Sequence, residues 1–421
     1  MNGARSLLDT LVAAGLDVCF TNPGTSEMHF VAALDAHPDM RAILGLFEGV
    51  VTGAADGYAR MAGKPACTLL HLGPGLANGL ANLHNARRAR SPVVNVVGEH
   101  ATYHRALDAP LTSDIQGFAG PVSSWVHMTE RADAVAADAA RAVQAAVTPP
   151  GQVATLILPA DAAWNDAAGP AEPLSVPGRG APDAAAVDAA IAALRSGEPC
   201  AFLLNGLGVS DEALRLVSRI SRRTGARFFG DTFIARIPRG AGRVEVPRLP
   251  YFAEQAEETL AGVRHLIAVD TRAPVSFFAY PGRASELTPP GCRVHTLTEP
   301  GEDSVAALQA LADAVGAGDV SPLTEPLERP SPPGGDLTPE TLAQGLGALL
   351  PEQAVLVNEA ATSGFALPAM TARSAPHDWL DLTGGAIGMG LPAAVGAAVA
   401  CPERRAVGLQ ADGSAMYTLQ A

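Results

Sequence analysis

The chain has 421 residues, of which 29 are Lys or Arg and 43 are Asp or Glu, so its net charge is -14. Such an acidic composition argues against binding to a nucleic-acid backbone, which needs clustered positive charge. Hydrophobic residues make up 48% of the chain and charged residues 17%, which excludes a disordered protein and supplies apolar material for two to four domains.

Alternating apolar runs and helical patterns begin near the N-terminus. Four apolar runs are predicted strands, and they cover residues 17–21, 42–47, 65–72 and 92–98. The helices predicted between them cover residues 27–35, 49–61 and 76–89. A helix over 132–147 and a strand over 152–159 complete this region. Continuous apolar strands separated by helices are typical of a parallel sheet covered on both faces.

Two Pro- and Gly-rich stretches, residues 165–183 and 318–336, are predicted linkers because such compositions tend to stay extended. Strands are predicted between these linkers near residues 201–205, 227–229, 266–270 and 293–297. After the second linker, the predicted elements are a helix over 339–349, a strand over 354–358, a helix over 392–400 and a strand over 406–409.

The sequence therefore predicts three α/β domains, over residues 1–165, 183–317 and 337–421. The third ends soon after its last strand and turn, so we expect it to be incomplete. The five cysteines are far apart and include no C-x-x-C pair, which predicts neither a zinc site nor a disulfide framework. The N-terminus lacks the apolar core of a signal peptide, and we expect a cytoplasmic protein with no membrane segment.

Polar residues follow three consecutive predicted strands. Thr25 and Ser26 come after the first strand, and Glu48 and His71 come after the next two. Ligands of open α/β sheets bind at the carboxyl ends of strands, so we expect these residues to converge. Each one alone is more typical of a helix cap or turn. Glu48 is open to two interpretations, an ordinary first-turn acid favoured by the helix dipole or a functional acid.

Gly49, Gly53 and Gly57 recur every four residues in the predicted helix over 49–61, and they therefore share one face. An interior glycine costs a helix roughly 1 kcal/mol relative to alanine. Three of them on one stripe indicate the close approach of another backbone. Two interpretations remain open: tight packing inside the same domain, or a helix–helix contact at a subunit interface.

Two segments near the C-terminus are candidate ligand sites. Residues 382–394 (LTGGAIGMGLPAA) form a Gly-rich loop that opens a helix and permits a ligand to approach the backbone. Asp412, after the last predicted strand, is an oxygen ligand suited to Mg²⁺. Gly413 and Ser414 follow it, where their backbone N–H groups could hold a phosphate. The ADGS sequence is also a common turn and is weak evidence alone.

Other motifs give less support to a function. GLGVSD at residues 206–211 lacks the third glycine of a dinucleotide fingerprint. His100 and His104 have the spacing of helical metal ligands, but the sequence shows no third ligand. The absence of a G-x-S-x-G elbow argues against a Ser/His/Asp hydrolase.

Taken together, five motifs resemble those of the thiamine diphosphate-dependent 2-oxo acid enzymes, in particular acetolactate synthase large subunits and benzoylformate decarboxylase. The motifs are NPGT at 22–25, FEGVVTGAADGYAR at 47–60, GPGLAN at 73–78, GGAIGMGLPAA at 384–394 and ADGS at 411–414. They run in the order of the family's pyrimidine-binding, central and diphosphate-binding domains. The resemblance therefore implies the three-domain parallel-sheet architecture of these enzymes.

The resemblance also implies roles for the residues that match. Glu48 matches the glutamate that hydrogen-bonds N1′ of the aminopyrimidine, and Gly385 matches the residue whose carbonyl accepts from the 4′-amino group. Ile387 matches the bulky residue that holds the cofactor bent. His71 and Thr25 stand where benzoylformate decarboxylase-like enzymes carry an active-site histidine and serine.

For the diphosphate end, the resemblance implies that Asp412 is a Mg²⁺ ligand, with Gly413 and Ser414 beside the diphosphate. A looser match adds Thr362 and Ser363. Two features depart from the family pattern: Ala411 replaces the usual glycine of the metal motif, and an expected Asn ligand lies beyond the end of the sequence. The central region also lacks the Arg-Phe-Asp-Asp-Arg stretch of flavin-binding synthases, which argues against FAD.

The resemblance implies a thiamine diphosphate- and Mg²⁺-dependent decarboxylase or carboligase of the acetolactate synthase type, acting on a small 2-oxo acid. A benzoylformate decarboxylase-like lyase, a 2-hydroxyacyl-CoA lyase and a non-catalytic paralogue are the alternatives. The family pairs the pyrimidine domain of one subunit with the diphosphate domain of its partner. We therefore expect a homodimer or homotetramer in which Glu48 acts across the interface and the glycine stripe lies at it.

Overall fold

The computed structural model describes all 421 residues and divides into two compact units. Unit 1 comprises Met1–Gly178, Val355–Ala361 and Leu382–Ala421. Unit 2 comprises Arg179–Ala354 and Thr362–Asp381. The C-terminal region therefore contributes chain to both units. None of the helices is both long and apolar enough to cross a membrane.

The N-terminal part of unit 1 is built on a six-stranded parallel sheet with the strand order β2-β1-β3-β4-β6-β5. Its strands are β1 (Val18–Asn22), β2 (Arg41–Leu44), β3 (Ala66–Leu70), β4 (Val93–Glu99), β5 (Trp125–Met128) and β6 (Val153–Pro159). The central strands β3, β4 and β6 are buried along their whole length. This burial explains why their sequences are continuous apolar runs.

Seven helices accompany this sheet. They are α1 (Gly3–Ala13), α2 (Met28–Asp35), α3 (Glu48–Ala62), α4 (Leu72–Ala89), α5 (Ile115–Ala119), α6 (Val135–Val147) and α7 (Ala160–Trp164). Two separate apolar cores form: one holds residues of α1 and α6, and the other holds residues of α3 and α4. Leu69 belongs to the first core and Leu70 to the second, since successive strand residues point to opposite faces.

Unit 2 contains a four-stranded parallel sheet with the order β11-β10-β7-β8. The strands in this stretch of chain are β7 (Cys200–Leu204), β8 (Arg227–Gly230), β9 (Ile237–Arg239), β10 (His265–Val269) and β11 (Arg293–Thr298). The helices are α8 (Ala184–Arg195), α9 (Asp211–Thr224), α10 (Ala253–Leu260), α11 (Ser304–Ala314) and α12 (Pro339–Leu349). Each sheet is thus an α/β layer of the expected class.

The C-terminal elements follow in chain order. They are β12 (Val355–Glu359), α13 (Leu367–Thr371), β13 (His377–Asp381), α14 (Gly390–Ala400), β14 (Ala406–Gln410) and α15 (Asp412–Ala415). In unit 1, β12 pairs in parallel with β14. In unit 2, β13 pairs antiparallel with β9.

The glycine stripe of α3 packs against α14 of the same chain. A Cβ added at Gly53 would lie 2.7 Å from Cβ of Pro392, and one at Gly57 would lie 2.1 Å from the carbonyl oxygen of Ala393. In the opposite direction, a Cβ at Gly396 would lie 1.9 Å from the carbonyl oxygen of Ala54. Only glycine permits this approach of the two backbones, so an intrachain contact, rather than a subunit contact, occupies these two positions of the stripe.

Candidate active site

His71 and Glu27 form a close pair at the carboxyl edge of the N-terminal sheet. His71 follows β3 and precedes α4, and Glu27 ends a short 3₁₀ turn, Thr25–Glu27, after β1. Nδ1 of His71 lies 2.7 Å from Oε2 of Glu27, which also accepts from the backbone N–H of Gly24 at 2.8 Å. A Cβ on Gly24 would lie 2.3 Å from the same imidazole nitrogen, so glycine is required there.

Burial sets the electrostatics of this pair. Glu27 is 3% exposed, and burial raises the pKa of its carboxyl group, although the Gly24 N–H and His71 oppose the rise. Its other oxygen, Oε1, is buried beside Gly98 without a hydrogen-bond partner. The His71 side chain keeps 22% of its surface exposed. The pair can therefore hold a proton inside the protein while one imidazole face remains accessible.

Glu48 begins α3 and is buried, with 8% of its surface exposed. Its Oε2 accepts a hydrogen bond from Nδ2 of Asn78 at 3.0 Å. A Cβ on Gly75 would lie 3.4 Å from Oε1 of Glu48 and 3.4 Å from Cβ of His71. Glu48 and His71 therefore converge on the first turn of α4, which favours the functional-acid interpretation over an ordinary first-turn residue.

Thr25 and Ser26 lie in the same short turn as Glu27 but face a different surface. Thr25 is exposed and Ser26 is half-buried, and both line a cavity that also contains His29. Of the four polar residues expected to converge, the structure thus brings together Glu48 and His71, and it adds Glu27. The sequence offered one signal for Glu27: it is an acid three residues after Gly24, in the turn that follows a buried strand.

The Gly-rich loop that contains Gly385 and Ile387 is held against α4 by two asparagines. Asn85 donates to the carbonyl of Ala386 at 2.8 Å and accepts from its N–H at 3.2 Å, and Asn82 donates to the carbonyl of Gly388 at 3.3 Å. Gly385 has a φ of 74°, which favours glycine. Ile387 stays 44% exposed, so an apolar side chain is presented on a fixed backbone.

Glu359, at the carboxyl end of β12, holds the same loop through its backbone N–H groups. Its Oε1 accepts from the N–H of Gly388 at 2.5 Å, and its Oε2 accepts from the N–H of Gly390 at 2.6 Å. Gln410 donates to Oε2 as well, at 3.1 Å. Glu359 is 5% exposed, and its carboxylate is shared among these donors. Sequence reasoning missed this residue, although an acid directly after a buried strand is a signal.

The turn after β14 carries the candidate diphosphate and metal residues. Asp412 and Gly413 are exposed, and nothing lies within 4 Å of a Cβ placed on Gly413. Ser414 is buried, and its Oγ donates to the carbonyl of Ala411 at 3.2 Å. No group of three or more His, Cys, Asp or Glu side chains could hold a metal ion. A single exposed carboxylate suits Mg²⁺, which takes most of its ligands from phosphate and water.

Thr362 and Ser363 lie in the 3₁₀ turn Ala361–Gly364, directly after β12. Thr362 is exposed and Ser363 is half-buried. Their position after the carboxyl end of a parallel strand is typical of ligand-binding residues in α/β sheets.

Three asparagines of α4 contact the start of α3 and the Gly-rich loop. Asn78 holds Glu48, whereas Asn85 holds the Gly-rich loop. At 1.5 Å per residue, these two positions are about 10 Å apart along the helix axis. Asn82 lies between them on the helix, and its Nδ2 donates to the carbonyl of Gly49 at 2.7 Å and to the carbonyl of Gly388 at 3.3 Å. The start of α3 and the Gly-rich loop therefore share a contact on α4.

Comparisons with known proteins agree with these features. The family described as thiamine pyrophosphate enzyme, N-terminal TPP binding domain, matches residues 1–137, and the C-terminal TPP binding domain matches residues 357–421. A protein of Mycobacterium tuberculosis, provisionally named acetolactate synthase large subunit IlvX, is 57% identical over 419 residues, which are 100% of this chain and 80% of the relative. The chain belongs to the thiamine pyrophosphate enzymes.

Other members of these enzymes carry decarboxylase names. Benzoylformate decarboxylase of Pseudomonas aeruginosa is 30% identical, over 97% of this chain and 80% of its own length. Among solved structures, a thiamine diphosphate-dependent 4-hydroxybenzoylformate decarboxylase of Rhodococcus jostii RHA1 superposes with a TM-score of 0.83 at 25% identity, covering 100% of this chain and 82% of that one. The family indicated by the five motifs is thereby confirmed, and so is the predicted α/β class.

Proposed function

We propose that this thiamine pyrophosphate enzyme is a Mg²⁺-dependent 2-oxo acid decarboxylase and carboligase of the acetolactate synthase type. The observation that carries the proposal is the convergence of Glu48 and His71 on the first turn of α4, with Glu27 behind His71. The relative with 57% identity, named as an acetolactate synthase large subunit, supports this reaction class.

The residues of the diphosphate end are suited to bind the cofactor. Gly385 and Ile387 would support its ring portion, and Gly413 and Ser414 would contact the diphosphate. Asp412 would bind the Mg²⁺ ion. When bound, thiamine diphosphate supplies the electron sink that allows a carboxylate to leave as CO₂.

Glu48 would hold a proton at the pyrimidine ring. The hydrogen bond from Asn78 orients its carboxylate, and burial excludes water that would compete for it. The resemblance to the family implies a site that combines Glu48 of one subunit with the Gly-rich loop of its partner. The protein would therefore work as a homodimer, or as a tetramer made from two such dimers.

His71 would exchange protons with the substrate. Its Nδ1 is committed to Glu27, which leaves Nε2 as the ring nitrogen that can give or take a proton. Thr25 would contact the substrate from the same edge of the sheet. The His71–Glu27 pair also favours a second candidate function, a benzoylformate decarboxylase-like lyase that releases an aldehyde instead of joining two substrates.

Product analysis tests both candidates. The chain is incubated with thiamine diphosphate and Mg²⁺, and with either pyruvate or benzoylformate, and products are separated by chromatography. Acetolactate from pyruvate supports the synthase, and benzaldehyde from benzoylformate supports the lyase. No product from either substrate, with cofactor binding verified by calorimetry, would contradict a catalytic role.

A matched pair of variants tests His71 in the same assay. His71→Ala should alter the rate or the product ratio while cofactor binding remains. His127→Ala, which changes a partly exposed histidine of the same unit, should behave as the parent chain. Equal rates and product ratios in all three proteins would remove His71 from its proposed role.

A further inference from the structure

A cavity of about 240 Å³ lies beside the Thr25–Glu27 turn, and Thr25 is the one lining residue that it shares with the site proposed above. Its lining includes His29, His100 and His104, together with Thr25 and Ser26. Three of the chain's 10 histidines therefore meet at one small concave surface. His71 is not among the residues that line it. We call this cavity the histidine pocket.

The pocket is built from separate connections at the carboxyl edge of the sheet. His29 belongs to α2, His100 follows β4, and Trp164 ends α7. The rings of His100 and His104 are 5.2 Å apart, and those of His29 and Trp164 are 5.7 Å apart. The histidines are thus brought together by the fold and not by sequence proximity alone.

The hydrogen bonding of His100 is incomplete. Its Nε2 is buried and has no hydrogen-bond partner. A buried polar atom without a partner is energetically unfavourable. Because His100 lines the pocket, a ligand bound there would supply that partner.

The carboxylates next to the pocket are turned towards other donors. Oε1 of Glu99 accepts from the N–H of His100 at 2.7 Å. Asp161 accepts from the N–H of Thr102 at 2.9 Å and from the hydroxyl of the same residue. No acidic residue lines the pocket. In a chain with a net charge of -14, a concavity with three imidazoles, three hydroxyls and no acid is suited to an anion.

The donors favour a carboxylate over a metal ion. No set of three or more metal-ligating side chains has the required geometry anywhere in the chain. Imidazole N–H groups and the hydroxyls of Thr25 and Ser26 can donate to carboxylate oxygens. Trp164 and Ala160 provide an apolar wall for the carbon part of the ligand. The volume is below that of drug-sized sites, which measure about 300–1,000 Å³, and it suits a small organic acid.

We propose that the histidine pocket binds a small organic carboxylate and that this binding acts on the Glu27–His71 pair. The Thr25–Glu27 turn provides the connection, since its first two residues line the pocket and its third holds His71. Movement of the turn changes the distance between the Glu27 carboxylate and the imidazole. The effect on the Glu27–His71 pair rests on the proposed function of His71, whereas the binding of a carboxylate in the pocket does not.

Titration of the full chain, without cofactor, tests the binding. Histidine-labelled protein is observed by NMR while pyruvate, acetate or inorganic phosphate is added at constant ionic strength. The signals of His100 and His104, assigned with the His100→Gln and His104→Gln variants, should shift and saturate with pyruvate and acetate. Unsaturable shifts, or shifts as large at His37, would overturn the proposal. Saturation by phosphate but not by either carboxylate would also overturn it.

Affinity measurements supply the matched comparison. The double variant His100→Gln/His104→Gln should bind pyruvate at least tenfold more weakly than the parent chain, and His37→Gln should bind it equally well. If the double variant fails to fold, Ser26→Ala removes one donor with little disturbance and should also weaken binding. Unchanged affinity in a folded double variant, or in Ser26→Ala where the double variant does not fold, would contradict the proposal.

The coupling has its own readout. In the parent chain, the His71 signal should shift in parallel with that of His100, and this shift should disappear in the double variant. A His71 signal that does not respond while the pocket fills would overturn the coupling. Pyruvate that binds the pocket of a chain without catalytic activity would instead contradict the proposed function and leave the pocket intact.

Discussion

The two parts of unit 1 that carry candidate site residues differ in how the chain holds their side chains. In the N-terminal part, Glu27 and Glu48 are buried, and each carboxylate has a side-chain partner in the same region. In the C-terminal part, Ile387 and Asp412 are exposed. The first group is positioned through its own side chains, whereas the second is positioned through the backbone of its loop or turn.

This difference decides what a substitution tests in each part. In the N-terminal part, we expect a change of one acid to alter proton chemistry directly. In the C-terminal part, the buried Glu359 and the asparagines of α4 hold the loop, so we expect changes there to act on cofactor affinity. The following predictions run from the largest expected effect to the smallest.

Glu48→Gln should have the largest effect. It keeps the size of the side chain but removes the carboxylate, so exchange of the C2 proton of bound thiamine diphosphate should slow by roughly 10²–10⁴-fold. NMR in D₂O measures this exchange. Cofactor affinity should change little, because the residues proposed to contact the diphosphate lie in the C-terminal part. Glu130→Gln, at an exposed acid of the same unit, is the control. Unchanged C2 proton exchange in Glu48→Gln would show that the buried acid of the N-terminal part does not act on the proton chemistry of the cofactor.

Glu359→Gln should weaken cofactor binding. Glutamine offers one acceptor oxygen, so one of the N–H groups of Gly388 and Gly390 loses its partner. A loss of about 2 kcal/mol, or roughly thirtyfold in affinity, is expected. Calorimetry with thiamine diphosphate and Mg²⁺ measures it. Glu403→Gln, at an exposed acid between α14 and β14, should bind the cofactor normally. Equal affinities in the two variants would show that Glu359 does not control the loop.

Gly57→Ala should destabilise the contact between the two parts. The new Cβ would lie 2.1 Å from the carbonyl oxygen of Ala393, so α3 and α14 must separate. Overpacking of this kind, partly offset by better helix propensity, should cost about 1–2 kcal/mol. Thermal unfolding measures the loss.

Gly345→Ala is the matched control for this substitution. Gly345 lies inside α12, and its added Cβ would meet only Pro333, at 3.6 Å. This variant should therefore be more stable than the parent chain by up to about 1 kcal/mol. A Gly57→Ala protein that gained the same stability would show that the two helices are not in close contact.

Glu27→Gln should have the smallest effect, and this effect is visible only in how the stability of the protein depends on pH. Burial raises the pKa of its carboxyl group in the folded chain above the unfolded value of 4.5. Between these two pKa values the folded state binds more protons, so its contribution to stability falls as the pH rises. The unfolding midpoint is measured from pH 4.5 upward. The part of its decrease with pH that is due to Glu27 should be absent in Glu27→Gln and present in Glu130→Gln. An identical pH profile in Glu27→Gln would contradict the raised pKa.

Much of the fold could be predicted because buried parallel strands are recognisable as apolar runs. The expected strands over 92–98 and 152–159 differ by one residue at most from β4 and β6. Strand β13 was missed, because its sequence HDWLD is polar. It is nevertheless wholly buried, and the indole N–H of Trp379 donates to Asp381 at 2.8 Å. Such a strand becomes favourable only when the fold supplies partners for its polar groups.

The sequence by itself determined the α/β class, the family and the positions of Glu48 and His71 at strand ends, because periodicity and motifs are local properties of a chain. Only the tertiary structure decided that Glu27 pairs with His71, that Glu359 anchors the Gly-rich loop, and that Gly53 and Gly57 pack on α14. These contacts join residues distant in sequence. Their stability depends on burial and on hydrogen-bond partners that exist only after the chain has folded.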